Sequence, residues 1–239
     1  RDAQGNWVLD SILTNATAHY LHNTCFVLGD RFDTAAMPEH LTVELYNGKG
    51  IETFDTAFVS GKFASGCDFF LSVTHSGDRD VDPILQYTFE NAIVTASGND
   101  DSAEIIATFA DGSTKNYGAA LGEYHVAQKL RTMIAVAADP TLDVPCTPDT
   151  ILPHLTMCNA IFDQADVHPL PADRMEHVSE PEPGLFMRGL ADEAWTCFQT
   201  GKLPSELGFD WAKQPTVIKL DGYTTFSGAK CCCKEDTHA

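Results

Sequence analysis

No apolar run in this chain of 239 residues approaches the roughly 20 that a membrane-crossing helix needs. The opening Arg1-Asp2-Ala3-Gln4-Gly5-Asn6 has no signal-peptide character, and because it does not begin with Met its natural start is expected to lie upstream. Cationic side chains are scarce: 15 Lys and Arg stand against 34 Asp and Glu, a formal net charge of -19, and no basic cluster overturns that balance locally. Phosphate backbones and anionic lipid are repelled by such a chain, so neither nucleic acid nor membrane is expected as a partner. Motifs are missing too. There is no phosphate loop, no GxSxG elbow, no HExxH and no pair of CxxC units. Without a Gly-rich turn between a strand and a helix, no segment offers backbone amides to a pyrophosphate.

Cysteine is present, eight times, but not in a framework. Cys25, Cys67, Cys146, Cys158 and Cys197 are scattered singly, mostly among apolar residues, as buried reduced thiols of a cytoplasmic protein are. Cys231-Cys232-Cys233 sits in a polar terminus and lacks a paired ligand spacing, so residues 229–239 read as a disordered Cys-rich tail. Asn15-Ala16-Thr17 matches the glycosylation acceptor pattern, which in a cytoplasmic chain is a chance match.

The stretch with most to say is Trp7 to Leu28, WVLDSILTNATAHYLHNTCFVL, a strand-like run turning into a helix. Helical rotation places Asn15, His19, His22 and Phe26 on one stripe and Leu21, Cys25 and Leu28 on a neighbouring apolar one. Thr14 or Asn15 can cap the start. Such a helix packs by its apolar side and presents an Asn/His/His side for binding or proton transfer, against the plainer reading of a solvated polar face. A metal shared by His19 and His22 is the weaker option, since no third ligand stands at a telling distance, and no metal site is assigned.

From Leu41 the period changes from helical to alternating. Leu41–Tyr46, Phe54–Phe63, Asp68–Thr74, Ile84–Phe89, Ala92–Ala96, Ala103–Phe109 and Ser113–Tyr117 are strand candidates with no helix between them, which argues a mostly antiparallel sheet. Two helices follow, one carrying Val126, Leu130, Met133, Ile134 and Ala137, the other Ile151, Leu155, Cys158 and Phe162; both are expected on one face of the sheet. A Pro-rich excursion from Pro169 to Pro183 carries Glu176, Glu180 and Glu182, which read as a solvated acidic face. A short helix with Leu190, Ala194, Cys197 and Phe198 ends at Gly201, and Thr216–Leu220 returns as an edge strand. The expected fold class is α+β, an open antiparallel sheet with helices on one face, forming one domain over residues 1–228.

The phrases WVLDSILTNATAHYLHN, VELYNGKGIETFDTAF, LQYTFENAIVTASG, ATFADGSTKNYG and GKLPSELG, in that order, resemble the C-terminal domain of the Gfo/Idh/MocA oxidoreductases, the glucose-fructose oxidoreductase and inositol dehydrogenase family, over most of the chain. That family joins an N-terminal Rossmann domain, which binds NAD or NADP, to a C-terminal domain on an open sheet. The resemblance therefore implies the second half without the first, with no cofactor bound by this chain alone. The family's Asp and His, four residues apart, and an acidic residue three further on match Asn15, His19 and His22 here. By resemblance His19 exchanges a proton with the substrate hydroxyl. Asn15 departs from the family's Asp: it can orient an imidazole but cannot stabilise imidazolium by charge. The family's Lys in a Glu-Lys-Pro motif belongs to the Rossmann half. Asp10, His75 and His22 are candidate substrate contacts, with turn capping the alternative for Asp10 and an ordinary strand-end position for His75. Trp7 is most simply core, with an aromatic platform under a sugar ring as the other reading.

The expected function is the substrate-binding and oligomerisation domain of an NAD(P)-dependent oxidoreductase acting on a sugar, cyclitol or related polyol. The rival is a non-enzymatic oligomerisation or carbohydrate-binding module, which the Asn15 departure favours. Because helices are expected on only one face of a sheet apolar on both, a homodimer or tetramer through the open face is expected as well.

Overall fold

The computed structural model describes residues 2–98, 103–119, 125–144, 146–178 and 184–228. The Cys231-Cys232-Cys233 tail and residues 179–183 of the acidic excursion lie outside that range. Two compact units emerge, Arg1–Arg79 with Pro145–Ala239, and Asp80–Val144. The first unit opens with α1 (Ala18–Val27), β1 (Pro38–Asn47), β2 (Thr56–Phe63) and β3 (Asp68–Thr74). The second holds β4 (Ile84–Thr88), β5 (Ala92–Ser97), β6 (Glu104–Phe109), β7 (Thr114–Ala119) and α2 (His125–Ala138). The chain then completes the first unit with α3 (Pro148–Gln164), β8 (Val167–Pro169), β9 (Met175–Val178), β10 (Gly184–Met187), α4 (Leu190–Thr200), α5 (Pro204–Leu207) and β11 (Thr216–Lys219).

The alternating period from Leu41 becomes the five-stranded sheet of the first unit, ordered β11-β1-β2-β3, with β8 parallel to the end of β1 and the other pairings antiparallel. The register sets Val43 opposite Val59 and Val59 opposite Leu71, so every second residue meets its like on one face. That face buries Leu41, Val43, Leu45, Ala57 and Val59 against Leu21 and Cys25 of α1 and Met157, Cys158 and Ile161 of α3. Gly61 has to be glycine for this: a Cβ there would come within 2.2 Å of the Phe69 ring across the strand pair.

The opposite face is covered as well, which corrects the expectation of helices on one face only. Tyr46 and Phe58 pack with Leu190 and Cys197 of α4, Leu203 and Trp211, a second core cluster. At about 1.5–3 kcal/mol for each large side chain removed from water, this cluster is a principal term in stability and not trim. Nor is it purely apolar. Glu44 of β1 is buried, its Oε1 accepting the N–H (3.1 Å) and hydroxyl (2.6 Å) of Ser205 in α5, its Oε2 accepting the Tyr46 hydroxyl at 2.5 Å. The Tyr46 oxygen accepts the Lys213 amide in turn at 3.0 Å. Asp78 caps α4 from outside the helix, with Oδ2 2.6 Å from the Gly189 N–H and Oδ1 3.1 Å from that of Ala191. Such a cap is invisible to local sequence because 111 positions separate Asp78 from Gly189. The last described segment is tied down likewise: Asp163 of α3 accepts the Tyr223 hydroxyl (2.6 Å), the Ser227 amide and hydroxyl (2.7 and 3.0 Å) and the Gly228 amide (3.0 Å).

In the second unit β4 to β7 form an antiparallel four-stranded meander in sequence order. Leu85, Tyr87, Val94, Ala96, Ile105 and Ala107 share one face by register, and Gln86, Thr95, Thr108 and Asn116 the other. The packing expected of α2 on a sheet is not found: Leu130, Met133 and Ile134 are 63%, 57% and 61% exposed. For α3 the expected Cys158 and Phe162 are buried, but Leu155 is exposed and the buried stripe is widened to the other side, where Pro153, His154, Met157 and Ile161 turn inward, because a histidine whose ring nitrogen finds a backbone carbonyl can join a core. Among the described residues no helix is long and apolar enough to cross a membrane.

Candidate functional site

Trp7 to Thr17 does not continue a strand into a helix. Leu9 takes a left-handed backbone (φ 55°), an uncommon state for a leucine, and the chain then runs through turns to Thr17 before α1 begins. The hydroxyl of Thr14, expected as a cap, closes this turn instead: it accepts the Ser11 amide at 2.8 Å and donates to the Leu9 carbonyl at 2.9 Å. Thr17 is the cap residue by position, yet its hydroxyl donates to the Ile12 carbonyl at 2.5 Å and makes no cap bond. Asn15 therefore lies ahead of the helix rather than on it. Its side chain and that of His19 are exposed, and among the described residues no hydrogen bond joins them.

His22 is half-buried, with Nε2 3.2 Å from the carbonyl of Thr150 in the first turn of α3. A carbonyl can only accept, so Nε2 carries the proton and Nδ1 is left as the acceptor in the neutral ring. One turn further along α3, buried His154 donates from Nε2 to the carbonyl of Leu13 at 3.0 Å, and Cys158 Sγ lies 3.5 Å from the same nitrogen. His154 is the functional-site neighbour that apolar periodicity passed over; its i, i+4 spacing to Cys158 was the available signal. Burial holds its pKa below the ordinary histidine value against the opposing Leu13 hydrogen bond, and the charges of His22 and His19 lower it further. Burial also pushes the Cys158 and Cys25 thiols up to about 12, which makes both unreactive.

The structure thus brings His19, His22 and His154 to one junction of α1 with α3, its outer member exposed and its inner member sealed. Asp10 and His75 are exposed and share no hydrogen bond or ion pair with these histidines among the described residues; His75 is held by its backbone amide, 2.8 Å from the Asp55 carbonyl. Trp7 is half-buried, edge-on to Phe226 at 5.7 Å, as part of the packing. Among the described residues no group of three His, Cys, Asp or Glu is disposed to hold a metal ion. Chemically, the junction offers one exposed imidazole for proton exchange and a second whose tautomer is set by backbone.

No protein-family model matches this chain, and no curated protein matches it. Solved structures do. The NAD-binding protein from Listeria innocua matches 66% of this chain and 48% of its own at 15% identity, with a TM-score of 0.44. An oxidoreductase from Bacillus cereus matches over 76% and 53% at 12% identity and a TM-score of 0.45. The WlbA dehydrogenase from Bordetella pertussis, in complex with NADH and UDP-GlcNAcA, matches over 64% and 41% at 16% identity and a TM-score of 0.35. The chain spans about half the length of these structures, or less.

Proposed function

We propose that this chain is the substrate-binding and oligomerisation half of an NAD(P)-dependent oxidoreductase that acts on a sugar, cyclitol or related polyol, the reading its sequence phrases support. The observation that carries it is the exposed His19 on α1, beside a His22 whose ring is oriented by α3. In this role His19 takes the proton of a substrate hydroxyl when that carbon is oxidised and returns it in the reverse direction. His22 presents Nδ1 as an acceptor to a neighbouring hydroxyl, and Asn15 offers an amide without charge.

Among the described residues, the openings of α3, α4 and α5 do not fit a nicotinamide dinucleotide. The amides that open α4 and α5 are already taken by Asp78 and Glu44, and α3 begins with Pro148, which has no N–H to give. The cofactor is assigned to a separate domain. Dehydrogenase assays of the full-length gene product with NAD and NADP over a polyol panel test the reading. His19→Ala is expected to lower turnover by about 10²–10⁴-fold, and turnover unchanged by it overturns the assignment.

Asn15 in place of a carboxylate favours a second reading, a carbohydrate-binding module without catalysis. Sugar binding by a full-length protein that shows no turnover would select it. In either case we propose a homodimer or tetramer. Since the five-stranded sheet carries a core on both faces, the surface assigned is the four-stranded sheet, on whose Leu85 and Tyr87 face Phe89 and Tyr117 are 54% and 56% exposed. Light scattering across a dilution series checks it, a monomer mass throughout being the refuting result. The same reading places the protein in the cytoplasm with its thiols reduced; of the five expected to be buried, Cys25, Cys158 and Cys197 are, whereas Cys67 and Cys146 are exposed.

A further inference from the structure

Along α1 the histidine face runs on into aromatic rings. His22 and Phe26 are tilted ring to ring with centroids 6.1 Å apart, and Phe26 meets Phe32 edge to face at 6.3 Å. Phe26 is half-buried and Phe32 is 64% exposed. Phe32 does not dangle. Its loop is closed by the Thr34 hydroxyl, which accepts the Arg31 amide at 3.0 Å and donates to Asp30 at 2.8 Å, and by the Ala36 amide, 2.8 Å from the Cys25 carbonyl at the end of α1. Gly29 lets the loop fold this tightly: a Cβ there would sit 2.2 Å from the Thr34 carbonyl oxygen. A rigid loop therefore holds a large apolar ring in water. Its neighbours in sequence, Arg31 and Asp33, are exposed and paired at 3.5 Å, a donor and an acceptor.

We infer that Phe32, with Phe26 behind it, is a stacking shelf for the apolar C–H face of a ring-form sugar or cyclitol, whose hydroxyls reach His22 on one side and Arg31 and Asp33 on the other. This inference rests on the proposed function and adds to it the residues that select ring over acyclic forms. The physical case is one of matched surfaces. A pyranose has an apolar face and a hydroxylated rim, the shelf has an aromatic face and a polar rim, and stacking on a ring already fixed costs little conformational entropy. An acyclic polyol presents no such face. The helical rise from His22 to Phe26, about 6 Å at 1.5 Å per residue, is the span of one sugar ring.

Saturation-transfer NMR on the 239-residue protein, with histidine imidazole shifts followed in parallel, tests it using D-glucose, myo-inositol and the acyclic polyol D-glucitol. The expected result is saturation strongest on the axial ring C–H protons of a cyclic probe, a shift at His22, and D-glucitol weaker than the cyclic probe. Phe32→Ala should weaken the cyclic probe about three- to tenfold and bring it level with D-glucitol, while Phe32→Tyr retains it. Phe32 is exposed, so neither variant threatens the fold. Histidine shifts with an affinity untouched by Phe32→Ala overturn the shelf and leave the proposed function standing. No histidine shift with any probe overturns both.

Discussion

His154 makes the stability of the α1–α3 junction depend on pH, and its sign follows from burial. The imidazole is 7% exposed and its folded pKa lies below the ordinary 6.5. Above pH 6.5 the ring is neutral in both states and contributes no slope. As pH falls below 6.5 the unfolded chain takes up a proton that the folded chain refuses, so stability is lost until the folded pKa is passed. The slope cannot exceed about 1.4 kcal/mol per pH unit, and integrating from about pH 7.5 to about 5.5 bounds the loss from this group at about 1.4 kcal/mol. With a urea dependence of ~2 kcal/mol per molar, that is a midpoint lower by up to about 0.7 M. His154→Gln keeps a side-chain N–H for the Leu13 carbonyl and removes the titration. Urea unfolding of both proteins at about pH 7.5 and about pH 5.5 should show a larger acid loss in the wild type, the difference being the His154 contribution. Equal losses would refute the reasoning. An NMR titration of the His154 ring in the wild type, showing protonation near pH 6.5 or above, would refute it without the variant.

Glu44→Ala orphans the Ser205 hydroxyl, the Ser205 amide and the Tyr46 hydroxyl together, and is expected to cost about 3–5 kcal/mol in urea unfolding, while Glu44→Gln, which keeps an acceptor for Ser205, costs about half of that. Asp78→Ala removes the cap of α4 and should cost about 1–2 kcal/mol, with exchange of the Gly189 and Ala191 amides accelerated first. Asp163 keeps its carboxyl below the usual carboxylate range: burial opposes ionisation, but Tyr223, Ser227 and Gly228 all donate to it. Its contribution is present above pH 3.8 and lost as pH falls through the folded pKa, and Asp163→Ala should increase protease cleavage between Tyr223 and Gly228 at neutral pH. Gly61→Val places a side chain in the Phe69 ring and is expected to cost at least about 2 kcal/mol by thermal unfolding.

Most strand limits were legible in the chain because alternation is local: Leu41, Val43 and Leu45 alternate with Thr42, Glu44 and Tyr46 whether or not a partner is known, but alternation names no partner, and the single sheet expected is divided into a five-stranded, a four-stranded and a two-stranded one. The same holds for the helix that ends at Gly201, where a left-handed glycine (φ 63°) stops α4. What tertiary structure alone decided is whatever depends on residues far apart in sequence. Apolar periodicity set His154 aside as polar, yet Leu13, 141 positions away, satisfies its nitrogen and admits it to the core. Asn15 has helical spacing to His19, but Ser11 and Thr14 close a turn that delays the helix to Ala18. The second sheet face looked open because α4, α5 and Trp211 are short or isolated signals, too small for a core of their own. They are sufficient only once β1 and β2 supply the other half. A hydrophobic pattern is written in neighbours, whereas the satisfaction of a buried polar group and the covering of a sheet face are properties of the closed chain.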